Sequence, residues 1–231
     1  MKEKLRKFNY NLNNYKENLI KRKDCPICNS KKRKIMWAKV NSFFKSGKCT
    51  KCEFIYIDNI LSKKGLNAYY NNYIDFRLKN KKKLNLRKKM YLIDLKYLKL
   101  YKNSGKLIDI GCSNGDFLKH LVKHYNAFGI DIDSQAIKIA KKFKVLKKRV
   151  SVLDLSDVKK KLGSFDIAVL RAVIEHVENP KKYFCFLQKN LKKDGIIFIS
   201  ATPNVNSPSA IRFKDKWNQF DPIQHINLFS S

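Results

Sequence analysis

The chain has little of several features that would point to an unusual architecture. Only eight of its 231 residues are glycine and five are proline, while 44% are apolar, so collagen-like repeats and wholesale disorder are excluded. No apolar run approaches the roughly 18–20 residues that a membrane-spanning helix needs. The first residues, MKEKLRKFNY, are basic and lack the apolar centre of a secretory signal, so we expect a cytoplasmic protein. In that compartment its six cysteines would be thiols or metal ligands rather than disulfides.

Acidic side chains are also scarce. Nineteen aspartates and glutamates face 51 lysines and arginines, which leaves a formal net charge of +32. Such a charge is typical of nucleic-acid-binding proteins. Only 8 of the 51 basic residues are arginine, however, and arginine is the side chain that phosphate and base recognition favours. Lysine, asparagine and isoleucine share AT-rich codons, so codon bias with solvated lysine faces explains the charge better, and nucleic acid stays as an alternative partner.

Two cysteine pairs have the spacing of a metal site. Cys25 and Cys28 enclose Pro-Ile, Cys49 and Cys52 enclose Thr-Lys, and twenty residues separate the two pairs. Each pair can supply two thiolates to one tetrahedral zinc ion. A zinc ion with four thiolate ligands has no open position for a substrate, so the sequence predicts a structural zinc ribbon. The other two cysteines are expected to be ordinary packing residues.

Composition and periodicity divide the chain into four segments. We predict a basic extension over residues 1–23, the ribbon over 24–60, a helical connector over 61–102 and an α/β domain over 103–231. In the last segment short apolar strands alternate with helices, which indicates a parallel sheet covered on both faces. The predicted strands are Leu107–Ile110, Ala127–Ile132, Val150–Leu153, Asp166–Leu170 and Ile196–Ser200. We expect them in the order 3-2-1-4-5, and we expect the ribbon and residues 103–205 to have separate cores.

Polar residues and glycines stand where the predicted strands end. The first strand runs into a turn with Gly111, Ser113 and Gly115, and glycine in such a turn lets a ligand approach the backbone. Asp109, two residues before the first glycine, suits a cationic ligand better than a pyrophosphate. Asp131 ends the second strand, where a carboxylate can accept two hydrogen bonds from a ribose diol. Because the carboxyl ends of parallel strands form one edge of a sheet, we expect these residues to lie close together.

Four segments in this order resemble the motifs of class I S-adenosylmethionine-dependent methyltransferases: DIGCSNGDFL, GIDID, FDIAVLRAVIEHVENP and LKKDGIIFISATPN. The resemblance implies an α/β, Rossmann-like class I methyltransferase sheet with S-adenosylmethionine at its carboxyl edge. The implied cofactor-binding residues are Asp109, Gly111, Ser113 and Gly115 for the methionine part, Asp131 for the ribose, Asp154 and Leu155 for the adenine, and Arg171 in the fourth-strand motif. The first motif often has a middle glycine, and Ser113 stands in its place here.

The ribbon ahead of this domain narrows the resemblance. The segments CPIC, CTKCEFIYID and DPIQHINLFS are similar to bacterial methyltransferases of surface-polysaccharide and nucleotide-sugar biosynthesis. This implies methyl transfer to a small polar acceptor, in the first place a sugar or glycan precursor. Two rivals remain: an rRNA or tRNA methyltransferase, and a non-catalytic protein that retains the fold. A steep salt dependence of RNA binding would indicate the first rival. Failure to form S-adenosylhomocysteine in a cell extract would indicate the second.

Three residues are candidates for catalysis on the acceptor side. Glu175 and His176 lie just past the fourth strand, and His225 lies in the late segment DPIQHINLFS. An imidazole near its ordinary pKa can remove the proton of an oxygen or carbon nucleophile. The alternative is that Glu175 and His176 cap the following helix and hold the wall of the cleft, and the sequence leaves both readings open.

Two strands of a full class I sheet have no counterpart in the predicted elements. Such a sheet has seven strands, whereas we predict five and expect Ile196–Ser200 to be an uncovered edge. An exposed apolar edge is an aggregation hazard unless something covers it. We therefore expect either a partner chain on this edge or a truncated reading frame with an incomplete acceptor pocket.

Overall fold

The computed structural model describes residues 18–39, 44–70, 81–153, 155, 158 and 163–230. The basic extension before residue 18 and the predicted adenine contact Asp154 lie outside these ranges. The strands are β1 (Leu19–Lys21), β2 (Arg33–Lys39), β3 (Phe44–Cys49), β4 (Ile55–Ile57), β5 (Asn59–Leu61), β6 (Lys106–Ile110), β7 (Asn126–Asp131), β8 (Val150–Val152), β9 (Phe165–Arg171), β10 (Leu191–Ser200) and β11 (Asn227–Leu228). The α-helices are α1 (Lys63–Tyr70), α2 (Lys81–Tyr101), α3 (Leu118–Leu121), α4 (Ser134–Ala140), α5 (Pro180–Asn190) and α6 (Pro208–Phe213).

Five strands form the central sheet. They are all parallel and lie in the order β8-β7-β6-β9-β10, which confirms the predicted order 3-2-1-4-5 and a Rossmann-like arrangement. The last strand begins five residues earlier than predicted, at Leu191, and its pairing with β9 is irregular between Leu191 and Ile196. Within the described residues no strand pairs with the outer side of β10, and Ile197 and Ile199 are about two fifths exposed there.

The central strands are buried along their middle because both faces of the sheet are covered. In β6 and β9 the middle residues are buried without alternation. Helix α2 packs Tyr91, Leu95 and Leu98 into the core on one face. Helix α5 packs Leu187 into the core on the other face. The carboxyl ends of β6, β7 and β9 therefore open at one edge, between these two layers.

The N-terminal strands form two smaller antiparallel sheets. Strand β1 pairs with β5, and β2, β3 and β4 form a meander to which β11 adds a fourth strand. Strand β11 comes from the C-terminal segment, and Asn227 and Leu228 pair with Tyr56 and Ile55. A C-terminal strand in the ribbon sheet was not predicted.

The clusters of buried apolar side chains in the central sheet contain no residue of the ribbon, so the expectation of separate cores is confirmed up to residue 204. From Val205 onward, mostly beyond the range of that expectation, the chain packs on the N-terminal sheets instead. Because β11 pairs with β4, apolar side chains from this segment and from the N-terminal sheets are buried in one cluster. Its members are Phe44, Ile55, Ile57, Ile60, Leu61, Val205, Ala210, Trp217, Phe220, Ile223, Ile226 and Leu228. Residues after β10 thus connect the ribbon to the carboxyl edge of the central sheet.

Candidate functional site

The loop between β6 and α3 passes close to neighbouring side chains. Gly111 and Gly115 both have a φ of +74°, and a Cβ at Gly111 would lie 2.5 Å from Val173 Cγ2. A Cβ at Gly115 would lie 2.4 Å from Leu146 Cδ1. Conformation and space therefore both require glycine at these two positions. Ser113 also has a left-handed φ, of +51°, so the position where the family often has glycine keeps the same backbone turn with a serine.

Asp131 ends β7, and its carboxylate ties two backbone segments together. Its Oδ2 accepts a hydrogen bond from the N–H of Ser113 at 2.8 Å, and its Oδ1 accepts one from the N–H of Asp133 at 2.8 Å. A carboxylate has about four lone-pair sites, so these two bonds are compatible with further ones from a ligand. The structure thus brings Asp131 and the glycine loop together at the carboxyl edge of the sheet.

Asp109 lies inside β6, directly below the loop. It is 2% exposed, and its Oδ2 has no hydrogen-bond partner in the described part of the chain. Burial and the nearby negative charge of Asp131 raise its pKa to about 8, while the charge of Arg171 opposes this rise. A buried carboxylate with an oxygen that receives no hydrogen bond is unfavourable unless a proton or a cationic group neutralises it. Asp109 is therefore a candidate partner for a cationic group of a ligand.

Arg171 is the last residue of β9 and reaches helix α2. Its Nε donates to Asp94 Oδ2 at 2.7 Å, and the guanidinium lies 4.6 Å from the centre of the Tyr91 ring. Its Nη2 is buried and has no hydrogen-bond partner among the described residues. Nε of the guanidinium thus binds helix α2 through Asp94, whereas Nη2 can still donate hydrogen bonds to a ligand.

Of the two predicted adenine contacts, Leu155 is among the described residues and Asp154 is not. Leu155 is buried and packs with Leu153 and Val158 in the core on the α5 side. Asp154 lies outside the described residues, and its role stays a prediction.

Glu175, His176 and His225 converge past the end of β9. One carboxylate oxygen and one nitrogen of each ring all lie within 4.8 Å of one another. His176 Nδ1 is 2.7 Å from the carbonyl oxygen of Gln224, and His225 Nδ1 is 2.7 Å from that of Gln219. Because a carbonyl only accepts, each Nδ1 carries the hydrogen and donates it. The basic nitrogen of both rings is therefore Nε2.

Burial sets the ionisation of this cluster. It lowers the pKa of His176 and of His225 below the ordinary value for histidine and raises the pKa of Glu175. Thr202 Oγ1 donates to Glu175 Oε2 at 3.0 Å, and Oε1 lies 3.7 Å from His176 Nε2. The two rings are thus neutral bases at pH 7, and the carboxylate beside them can stabilise an imidazolium.

Sequence reasoning missed two residues that hold this cluster, Arg22 and Asn227. Both are buried, and their side chains bind to each other and to backbone carbonyls around Glu175 and His176. The only signal in the sequence was the place of Asn227 in the late segment DPIQHINLFS.

The four cysteines of the ribbon are brought together as predicted. Their sulfur atoms all lie within 4.8 Å of one another, with Cys25 and Cys52 3.5 Å apart and Cys28 and Cys49 3.6 Å apart. In each knuckle the backbone turns back on the first cysteine, since the N–H of residue 29 donates to the Cys25 carbonyl and that of residue 53 to the Cys49 carbonyl. The N–H of Lys51 donates to Cys49 Sγ at 3.4 Å, as second-layer donors of metal thiolates do.

The ionisation of the cysteine cluster also fits a cation. Burial opposes ionisation of Cys49, but the N–H groups of Cys52 and Lys51 lower its pKa to about 6. Burial and the neighbouring sulfurs raise the pKa of Cys52 to about 12. Four thiols so close together cannot all ionise without a positive charge among them.

None of the described helices combines the length and the apolar character needed to cross a bilayer.

Comparisons with known proteins bear on the family. The sequence profile of the methyltransferase domain family matches residues 82–231. The uncharacterized protein MJ1123 of Methanocaldococcus jannaschii is 31% identical over 111 residues, which are 48% of this chain and 51% of that protein. The putative methyltransferase 235L of invertebrate iridescent virus 6 is 28% identical over an alignment of 134 residues that covers 52% of this chain and 49% of that protein. The chain therefore spans about half the length of these curated relatives.

Among solved structures, the YcgJ protein of Bacillus subtilis is similar with a TM-score of 0.47 and 20% identity, over 59% of this chain and 62% of that one. The family profile itself covers more than half of the chain and includes the whole central sheet. The chain belongs to the family of S-adenosylmethionine-dependent methyltransferase domains with the class I, Rossmann-like fold.

Proposed function

We propose that this chain transfers the methyl group of S-adenosylmethionine to a small polar acceptor, in the first place a hydroxyl or carbon of a sugar or glycan precursor. The observation that carries the proposal is the juxtaposition of two groups of residues at one edge of the sheet. Val173, two residues before Glu175, lies against Gly111 of the glycine loop. The cluster of Glu175, His176 and His225 therefore adjoins the loop that would hold the cofactor.

The charges at the end of β6 and β9 fit the methionine part of the cofactor. The buried Asp109 carboxylate is suited to the α-ammonium group, and Nη2 of Arg171 is suited to the carboxylate. Asp131 would accept hydrogen bonds from the ribose hydroxyls, and Asp154 and Leu155 would contact the adenine. Gly111, Ser113 and Gly115 would let the backbone approach the ligand. When bound, S-adenosylmethionine supplies a methyl group activated by its sulfonium.

The imidazoles would handle the acceptor proton. Nε2 of His176 or of His225 takes the proton of the acceptor as the methyl group is transferred. Glu175 lies close enough to stabilise the resulting imidazolium. Both rings are held through their Nδ1 atoms, so the basic nitrogens keep a fixed direction.

We propose that Cys25, Cys28, Cys49 and Cys52 hold one structural zinc ion. A Zn–S bond of about 2.3 Å in a tetrahedron places two sulfurs about 3.8 Å apart. The two sulfur pairs at 3.5 and 3.6 Å are near that separation before any metal is considered. Reduced cysteines in such a site fit a cytoplasmic protein.

The structure gives reason to prefer a small acceptor over RNA. Three arginines of the described residues have partners inside the protein: Arg22 with Asn227, Arg33 with Asp58 and Arg171 with Asp94. These guanidinium groups are therefore not a surface for phosphates. We further propose that a partner chain covers the apolar edge of β10.

Mass spectrometry with a labelled methyl donor tests the function. The purified chain is incubated with deuteromethyl-labelled S-adenosylmethionine and either nucleotide sugars and glycan precursors or total RNA, with Asp131→Ala as the matched control. We expect the label in a sugar fraction, and much less of it with the variant. Label in RNA would establish the rival substrate, and failure to form S-adenosylhomocysteine above the control with any acceptor fraction would indicate a non-catalytic protein.

A further inference from the structure

Arg22 belongs to the ribbon side of the molecule. It follows β1, and its N–H donates to the carbonyl of Asp58 at 2.7 Å. The side chain is 8% exposed, and the guanidinium lies 5.7 Å from the centre of the Tyr56 ring. Tyr56 is fully buried in the cluster that contains Cys25 and Cys49. The start of the Arg22 side chain is thus fixed by the same module that contains the cysteine site.

The far end of Arg22 reaches the C-terminal segment and the loop after β9. Nη1 donates to the carbonyl of Ile226 at 3.0 Å and to Asn227 Oδ1 at 3.2 Å. Nη2 donates to the same Oδ1 at 3.2 Å and to the carbonyl of Glu178 at 2.5 Å. A planar guanidinium can make these bonds in one plane, which the single point charge of lysine cannot do.

Asn227 continues the contact into the loop. Its Nδ2 donates to the carbonyls of Ile174 at 3.2 Å and Val177 at 2.6 Å, and its N–H donates to the carbonyl of Glu175 at 3.1 Å. Together, Arg22 and Asn227 hold the backbone carbonyls of residues 174, 175, 177 and 178. These four residues flank His176 on both sides, so the hydrogen bonds of Arg22 and Asn227 fix the backbone of this loop.

We propose that Arg22 and Asn227 are positioning residues, which fix the loop Ile174–Glu178 so that Glu175 and His176 face His225. The N-terminal ribbon is then a structural part of the acceptor site. Arg22 is held by the ribbon, and it in turn holds the loop that contains the proposed base His176. This inference rests on the proposed function only for the role of the histidines. The clamp, which is the pair Arg22 and Asn227 with the backbone carbonyls that they bind, rests on hydrogen-bond geometry alone. Arg22 lies outside the residues that the family profile matches, and Asn227 lies within them.

The four histidines of the chain provide a test that needs no acceptor. The Cε1–H signals of His120, His124, His176 and His225 are assigned by NMR and titrated with pH in the full chain. The variants are Arg22→Gln and Arg22→Lys. Arg149→Gln is the control, since Arg149 bonds to Asn126 and the carbonyl of Ala127 in the central sheet.

We expect Arg22→Gln to shift the signals of His176 and His225 and to move their titration midpoints up towards the ordinary value, because a loosened loop admits water. The signals of His120 and His124 should stay in place, which shows that the central sheet is folded, and Arg22→Lys should give a smaller shift. If Arg22→Gln fails to fold, Arg22→Lys alone decides.

Unmoved His176 and His225 signals in a folded Arg22 variant, or equal shifts in Arg149→Gln, would overturn the clamp. Calorimetry with S-adenosylhomocysteine on the same samples keeps the two proposals apart. Absence of binding to the wild type would defeat the proposed function, whereas the histidine shifts would still decide the clamp. We expect the Arg22 variants to bind S-adenosylhomocysteine within about twofold of the wild type, because the clamp does not touch Asp109 or Asp131.

Discussion

Replacing Asp109 by asparagine should remove a large part of the pH dependence of stability. Burial is the main reason why the native pKa of Asp109 is about 8, whereas an unfolded aspartate has a pKa of about 3.9. The native protein therefore holds a proton that the unfolded chain releases between these two values. Because the native pKa is raised, the stabilising contribution is complete below about pH 4 and is lost as the pH rises through about 8.

The size of the effect follows from the two pKa values. Linkage with a native pKa of about 8 gives a loss of about 3.5 kcal/mol in the free energy of unfolding between pH 5 and pH 8. Asparagine has the same shape and does not titrate, so Asp109→Asn lacks this loss. Relative to the wild type, the variant should gain about 3.5 kcal/mol over that pH interval. The histidines titrate in both proteins, and their contribution cancels in the difference.

Urea unfolding followed by circular dichroism at pH 5, 6.5 and 8 measures this difference, in the absence of cofactor. Asp215→Asn is the matched control, since Asp215 is exposed on the turn after α6. Parallel pH profiles of the wild type and Asp109→Asn would refute the reasoning, because Asp109 would then titrate alike in the folded and unfolded chains.

Four further predictions concern the loop, the ribbon and the base. Asp131→Ala should weaken cofactor binding by about 1–3 kcal/mol through lost charge-assisted hydrogen bonds, and unchanged affinity in calorimetry would remove it from the site. Gly115→Ala should lower the unfolding free energy by about 1–3 kcal/mol, since its φ is +74° and the new methyl meets Leu146; equal melting temperatures would contradict this. Cys25→Ser should release zinc in metal analysis and speed hydrogen exchange in β2–β4 and the C-terminal segment, while β6 and β9 stay protected. If metal analysis finds no zinc in the wild-type protein, the proposal of a structural zinc ion is wrong. Because burial lowers the pKa of His176 below the ordinary value, methyl transfer should lose half its plateau rate only at a pH below the midpoint of an ordinary histidine, and a midpoint at or above that of an ordinary histidine would argue against a buried imidazole base.

The central sheet could be predicted because its information is local. Strands β6 and β9 have a mostly apolar, buried middle, and Asp131 at the end of β7 follows Gly111 of the turn after β6 by twenty residues. The order of the strands then followed from the order of the motifs. The early start of β10 could not be predicted, because Lys192, Lys193, Asp194 and Gly195 have the composition of a turn. Only Leu191 pairs with β9 ahead of them, and regular pairing resumes at Ile196.

Strand β11 and the clamp could not be predicted, because their partners are far away in the chain. Arg22 and Asn227 are 205 positions apart. Arg22 stands in a run of basic residues, and asparagine is common along the whole chain, so neither residue differs in sequence from a surface residue. A two-residue strand also has too little alternation to indicate pairing.

The residues of the candidate site could be predicted from the motifs, but the hydrogen bonds and ion pairs that hold their side chains could not. The motifs named Asp109, Asp131, Glu175 and His176, and the structure brings these to one edge. The motif did not indicate that Arg171 also anchors α2 through Asp94, since helical periodicity shows only which face is apolar. The carbonyls that fix both histidine rings are likewise backbone groups, which leave no mark in the sequence.

Calorimetric titration of the purified chain with S-adenosylhomocysteine tests the central claim most directly. One molecule should bind per chain at pH 7, and runs in buffers of different ionisation enthalpy should show release of most of one proton, as the ligand's ammonium group lowers the pKa of Asp109 from about 8. Asp109→Asn should abolish the proton release, and Asp131→Ala should weaken binding about fivefold or more. Heats of dilution alone, with the protein shown to be folded, would contradict a cofactor site at this edge of the sheet.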